Sequence, residues 1–117
     1  MNKYAEPSDF DINKLVAEKA FINIKASKTF SEVIIFKNKI KYRFDPCNNP
    51  SDAMPIIIEN KISLRAPTIT DRWKAEFIDE YGNYIGYRRA LNKNPLRAAM
   101  ELFLLMKDAE NEINNKR

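Results

Sequence analysis

The sequence predicts an α+β fold in one domain, residues 1–117, ordered α-β-β-β-α-β-β-β-α, with an antiparallel sheet packed by the N-terminal and C-terminal helices. Three observations carry this expectation. Capping signals open three helical stretches, short alternating or β-branched runs fill the spaces between them, and no repeat, low-complexity segment or linker divides the 117 residues.

The elements follow in chain order. A helix begins after Ser8, with Asp9 and Asp11 in its first turn near the positive end of the helix dipole, and Ile12, Leu15, Val16 and Ala20 on one face. "FINIK", "SEVIIFK" and "KIKYRF" read as strands, and "KNK" at 37–39 as a hairpin tip, because Asn38 tolerates positive φ. In the last strand Ile40, Tyr42 and Phe44 alternate with Lys39, Lys41 and Arg43, which predicts the rings on the core side. "DP" ends that strand, since Pro46 donates no ladder hydrogen bond and holds Asp45 extended. Asn49 and Pro50 then open a helix, expected as a short turn at 50–54 and a second piece starting near Pro55, with Ile56, Ile57 and Ile58 largely buried. "KISLR" reads as a strand, and "RWKAEFID" and "YIGYRRAL" as a hairpin closed by "EYGN" around Gly82. Asn94 caps and Pro95 starts the last helix. Leu15, Ile34, Ile57, Leu64, Trp73, Phe77, Met100 and Phe103 are the expected core.

Composition excludes several chemistries. With no histidine and only Cys47, Ser-His triads, Cys-His pairs and zinc sites are unavailable. Two glycines make no phosphate loop. No catalytic residue, cofactor or metal is therefore expected. Neither a secretion signal nor an apolar run long enough to span a bilayer is present, and one cysteine makes no internal disulfide, so the expected compartment is a reducing cytoplasm.

Charge is unevenly placed. The net +4 lies wholly in residues 1–44, because residues 45–117 balance. Lys25, Lys28, Lys37, Lys39, Lys41 and Arg43 face only Glu32 within 25–43, a pattern that suits a phosphate-bearing or acidic partner, or else a solvated strand guarded by lysine. Arg88, Arg89 and Arg97 form a second basic group that suits the same partners. Asp45, Asn48, Asn49, Ser51 and Asp52 carry oxygens suited to a hard cation, but turns and caps account for all of them except Asn48. The last helix places Leu96, Ala99, Met100, Leu102, Phe103, Met106 and Ala109 on one arc, with Arg97, Glu101 and Asp108 opposite. Leu104 falls among those charges and Leu105 at the arc's edge, so either other elements cover both faces or these leucines make a self-association surface for a homodimer.

"FDPCNNPSDAMPIIIENKISL" and "KNPLRAAMELFLLMKDAE" resemble the two signature blocks of the NinX-like family of small phage and prophage proteins, and "SDFDINKLVAEKA" is similar to its first helix. Trp73 and the Pro95–Met100 run fit the same pattern, whereas residues 21–43 lie outside the shared blocks. The resemblance implies a phage accessory protein with no assigned activity or cofactor, acting in the bacterial host cytoplasm by stoichiometric binding. The expected partner is a host protein or protein–nucleic-acid complex, with an anti-defence inhibitor of CRISPR type as the leading form. Direct nucleic-acid binding by the 37–43 strand is the alternative, and a self-associating module the third. No membrane association is expected.

Overall fold

Three polar side chains set where the helices begin. Ser8 Oγ accepts the Asp11 N–H (3.1 Å) and opens α1, Asp9–Ala20. Asn49 Oδ1 accepts the Ser51 N–H (3.0 Å) and opens α2, Pro50–Glu59. Asn94 Oδ1 accepts from Leu96 (2.9 Å) and Arg97 (3.4 Å) and opens α3, Pro95–Asn115. The computed structural model describes residues 2–78, 81 and 84–115, the side chains of 84–88 and 113–115 excepted. The expected "EYGN" turn, Gly82 included, thus falls outside the described residues apart from Tyr81.

Pro55 does not divide α2 as expected; the helix runs through it. Proline there forfeits one bond, to the carbonyl of Ser51, a residue exposed in the first turn of the helix. Ile56 and Ile57 are buried, but Ile58 points outward.

The six strands divide between two three-stranded antiparallel sheets rather than one. The first contains β1 (Ile24–Ser27), β2 (Glu32–Lys37) and β3 (Ile40–Arg43), and the second β4 (Ile62–Arg65), β5 (Trp73–Ile78) and β6 (Tyr84–Asn92). The first sheet packs on α1, the second on α3, and α1 packs on α3, giving the layer order sheet, helix, helix, sheet. Each sheet buries one face on its own helix, so neither needs to pair with the other. Among the described residues, the first sheet touches no helix but α1, whereas α3 is flanked by α1, α2 and the second sheet.

This arrangement explains which core expectations hold. Ile57, Met100 and Phe103 are buried, and Leu15 and Leu64 pack against the core partly exposed. Ile34, Trp73 and Phe77 are half-buried, because β2 turns Val33 and Ile35 inward, and β5 turns Ala75 inward with Glu76. Every residue from Arg97 to Leu105 is buried, since α3 is surrounded. Leu104 and Leu105 are therefore covered within the chain and offer no self-association surface.

β2 and β3 join through Asn38 (φ 54°) and Lys39 (φ 66°), a two-residue turn with both residues left-handed. Asparagine tolerates this conformation; lysine is penalised by its Cβ. Lys39→Gly is expected to raise stability by about 0.5–1 kcal/mol, the left-handed penalty relieved less the entropy of glycine. A higher urea midpoint at unchanged slope is the expected reading, and a lower midpoint would contradict the turn geometry.

Candidate basic hairpin and the buried arginine

The two basic groups read from the sequence have opposite fates. Arg97 is 5% exposed and faces inward. Its Nε donates to Glu101 Oε2 (2.7 Å), one terminal nitrogen to Asp9 Oδ1 (2.6 Å), and the other to the carbonyls of Tyr4 (2.9 Å) and Pro7 (2.6 Å). Burial works against the guanidinium charge, but the hydrogen bonds it donates to Asp9 and Glu101 outweigh it and hold the pKa above its ordinary value. Arg97 is therefore a structural ion, not a contact for a phosphate. Glu101, expected on the solvent face of the last helix, is fully buried. Burial pushes its carboxyl up, opposed by Arg97 and by the amides of Asn2 (2.7 Å) and Asn92 (3.4 Å). All three neighbours are donors, so a protonated Glu101 would lack an acceptor, and the carboxylate is the form that fits.

Arg89 is exposed on β6, opposite Glu76 of β5, whose buried carboxylate lies 2.8 Å from the Arg65 guanidinium without an aligned hydrogen bond. The side chain of Arg88 falls outside the described residues. The expected cluster of Arg88, Arg89 and Arg97 is thus not brought together: Arg97 leaves the surface.

The segment around Cys47 is a junction that ties the helices. The Cys47 N–H donates to Asn13 Oδ1 of α1 (3.1 Å), and its carbonyl accepts from Asn94 at the start of α3 (2.6 Å). Asn48, the residue without a capping role, donates to Asp45 (3.1 Å) and to Asp9 (3.2 Å). Burial and the nearby Asp9 charge push the Cys47 thiol far up, which makes it inert as a nucleophile. Among the described residues, no group of three or more His, Cys, Asp or Glu side chains is placed to hold a metal. A cleft of about 500 Å³ opens beside this junction, with Asp9, Asp11, Glu32 and Asp45 facing Lys28 and Arg43. Its mixed charge selects no ligand.

The β2–β3 hairpin keeps its charges at the surface. Lys37, Lys39, Lys41 and Arg43 are exposed, as are Lys25 on β1 and Lys28 in the β1–β2 turn. None of the six makes an ion pair or side-chain hydrogen bond with another described residue. The expectation that Ile40 and Tyr42 face the core is corrected: they are 53% and 47% exposed, and only Phe44 is buried, edge-on to Phe21 with ring centres 5.1 Å apart. Their face overhangs α1, so alternation persists while its apolar side runs out of core. Phe36 on β2 and Ile22 before β1 are exposed at the same end of the sheet. Sequence reasoning missed this apolar component, although the run of six cations marked its location.

The family model described as Bacteriophage P22, NinX matches residues 3–107, a span that includes the β1–β3 segment preceding the two signature blocks. No curated protein and no solved structure matches the chain.

Arg97→Met is expected to cost about 3–5 kcal/mol, because Glu101 is left buried without its cation, and Arg97→Met with Glu101→Leu to cost less than the single change. Urea denaturation of both variants checks this; a double variant as unstable as the sum of its parts would contradict a buried pair. A second expectation concerns Asp108. Burial works to raise its pKa, but hydrogen bonds from the Tyr4 hydroxyl (2.5 Å) and Lys3, with the Lys3 charge, hold it below its ordinary 3.8. A lowered carboxyl pKa adds stability above the unfolded value that is lost as pH falls through the folded one. Tyr4→Phe should therefore be less stable than the parent above pH 3.8, with the gap closing in more acid solution. A gap independent of pH would contradict the assignment.

Proposed function

The chain belongs to the phage P22 NinX family, and we propose that it is a non-catalytic accessory protein acting in the host cytoplasm by stoichiometric binding, with the β2–β3 hairpin as its contact surface. Its partner is a host protein or protein–nucleic-acid complex that presents negative charge. One observation carries this reading: the β2–β3 hairpin combines Lys37, Lys39, Lys41 and Arg43, free of ion pairs among the described residues, with exposed Phe36, Ile40 and Tyr42. Unpaired cations steer and orient an anionic partner, and exposed rings supply the desolvated anchors that hold it. The layer order supports the same reading, since among the described residues α1 is the one helix packed on the sheet, which leaves its other face and its tip to a partner.

A defence assembly of CRISPR type fits this chemistry, because protein and nucleic-acid phosphates meet at its surface. Inhibition by occupying such a surface needs no catalytic group. That agrees with a chain that has no histidine and whose one thiol is buried and held protonated.

The test is affinity capture from a bacterial lysate, comparing the parent with Lys39, Lys41 and Arg43 all changed to Glu. The expected outcome is loss of the stoichiometric partner with a melting temperature within a few degrees of the parent, as for surface substitutions. Capture retained by the folded triple variant would overturn the assignment of the hairpin.

A further inference from the structure

The register of the first sheet sorts its residues onto two faces. Val33 and Ile35 are buried toward α1, so Ile34 and Phe36, at alternate positions, lie on the face turned away from it. On that outer face Lys25, Ile34 and Arg43 stand side by side across the three strands. In the next row Phe36 stands beside Lys41, about 7 Å farther along the strands. Phe36 is 44% exposed, Ile34 is half-buried, and Lys25, Lys41 and Arg43 are exposed. The one acid of this face, Glu32, lies at the end remote from the hairpin tip. A ring flanked by cations thus sits on an open sheet surface that no helix covers among the described residues.

We propose that this outer face binds single-stranded nucleic acid, with Phe36 stacking on a base and Lys25, Lys41 and Arg43 tracking the phosphates. The proposal rests on the hairpin reading above and names the partner's chemistry. Two features favour it over an acidic protein and over a duplex. Protein interfaces are enriched in arginine and depleted in lysine, whereas two of the three cations on this face are lysines, suited to phosphates as point charges. A duplex hides its base faces in the stack, so an exposed ring gains nothing from it, while unpaired bases offer π-faces of any sequence. The acidic side of the cleft, beginning at Glu32, repels phosphates and sets the limit of the track on that side.

The experiment is fluorescence anisotropy of the full chain with labelled oligo-dT and oligo-U, each of about 20 nucleotides, competed by an unlabelled duplex of mixed sequence. Three phosphate contacts predict a log–log salt slope of about −2, hence a loss of affinity of roughly 20-fold between 50 and 200 mM salt. The duplex should compete at least about tenfold more weakly than an unlabelled single strand. Phe36→Leu keeps apolar volume and removes the ring; it should weaken binding roughly tenfold while the melting curve holds, and Lys41→Glu should flatten the salt slope. Preference for one oligonucleotide would tell DNA from RNA as the source of the strand. Absence of binding at about 50 mM salt and ~100 µM protein, equal competition by duplex, or no effect of Phe36→Leu would overturn the proposal. If nuclease-resistant capture of a host protein still required Lys39, Lys41 and Arg43, the nucleic-acid reading alone would fall. If no capture survived either, the hairpin reading would fall with it.

Discussion

A guanidinium held inside the protein is the constraint on which the rest of the arrangement depends. Arg97 is charged at any pH the fold tolerates, so its donors must be met by protein groups once water is excluded. Asp9 meets it at the start of α1, Glu101 one turn farther along α3, and the carbonyls of Tyr4 and Pro7 complete the set. The N-terminal residues are thereby wrapped against α3, and α1 is fixed at one point on its length. Glu101 extends the tie through Asn2 to the N-terminal segment and through Asn92 to the end of β6. Removing the arginine would strand a carboxylate in the interior.

The functional consequence is positional. Among the described residues the first sheet packs on α1 and on no other helix, and α1 is held on α3 by Arg97 and by the Asn13–Cys47–Asn94 junction. Two polar ties, at Asp9 and one turn farther along α1 at Asn13, therefore set how the basic hairpin stands on the body. A contact surface needs such a support, since affinity is lost when a surface must be ordered at the moment of binding.

Local features were legible in the sequence and layering was not. Ser8, Asn49 and Asn94 cap the helices as their types and positions predict, and Asn38 makes the left-handed turn. The order of nine elements follows from alternation and capping alone. Division into two sheets does not, because strand pairing across a helical layer leaves no mark on periodicity. For the same reason Arg97 and Glu101 read as a solvated face: an i,i+4 ion pair has the same spacing buried or exposed. The site was legible by its charge, since Lys25 to Arg43 stand out in any count. Its apolar half, Ile40 and Tyr42, was hidden by the assumption that an alternating strand lies wholly over a core. Such a strand can overhang one, and only the lengths of the neighbouring elements decide how far.

The most direct test places a photo-crosslinking phenylalanine derivative at Ile40 on the hairpin or, as a control, at Ile58 on the exposed side of α2, and irradiates bacteria producing each chain. A contact surface on the hairpin predicts a discrete adduct, protein or nucleic acid, from position 40 and none from position 58. Adducts confined to position 58, or absent from position 40 while the chain is folded and abundant, would contradict it.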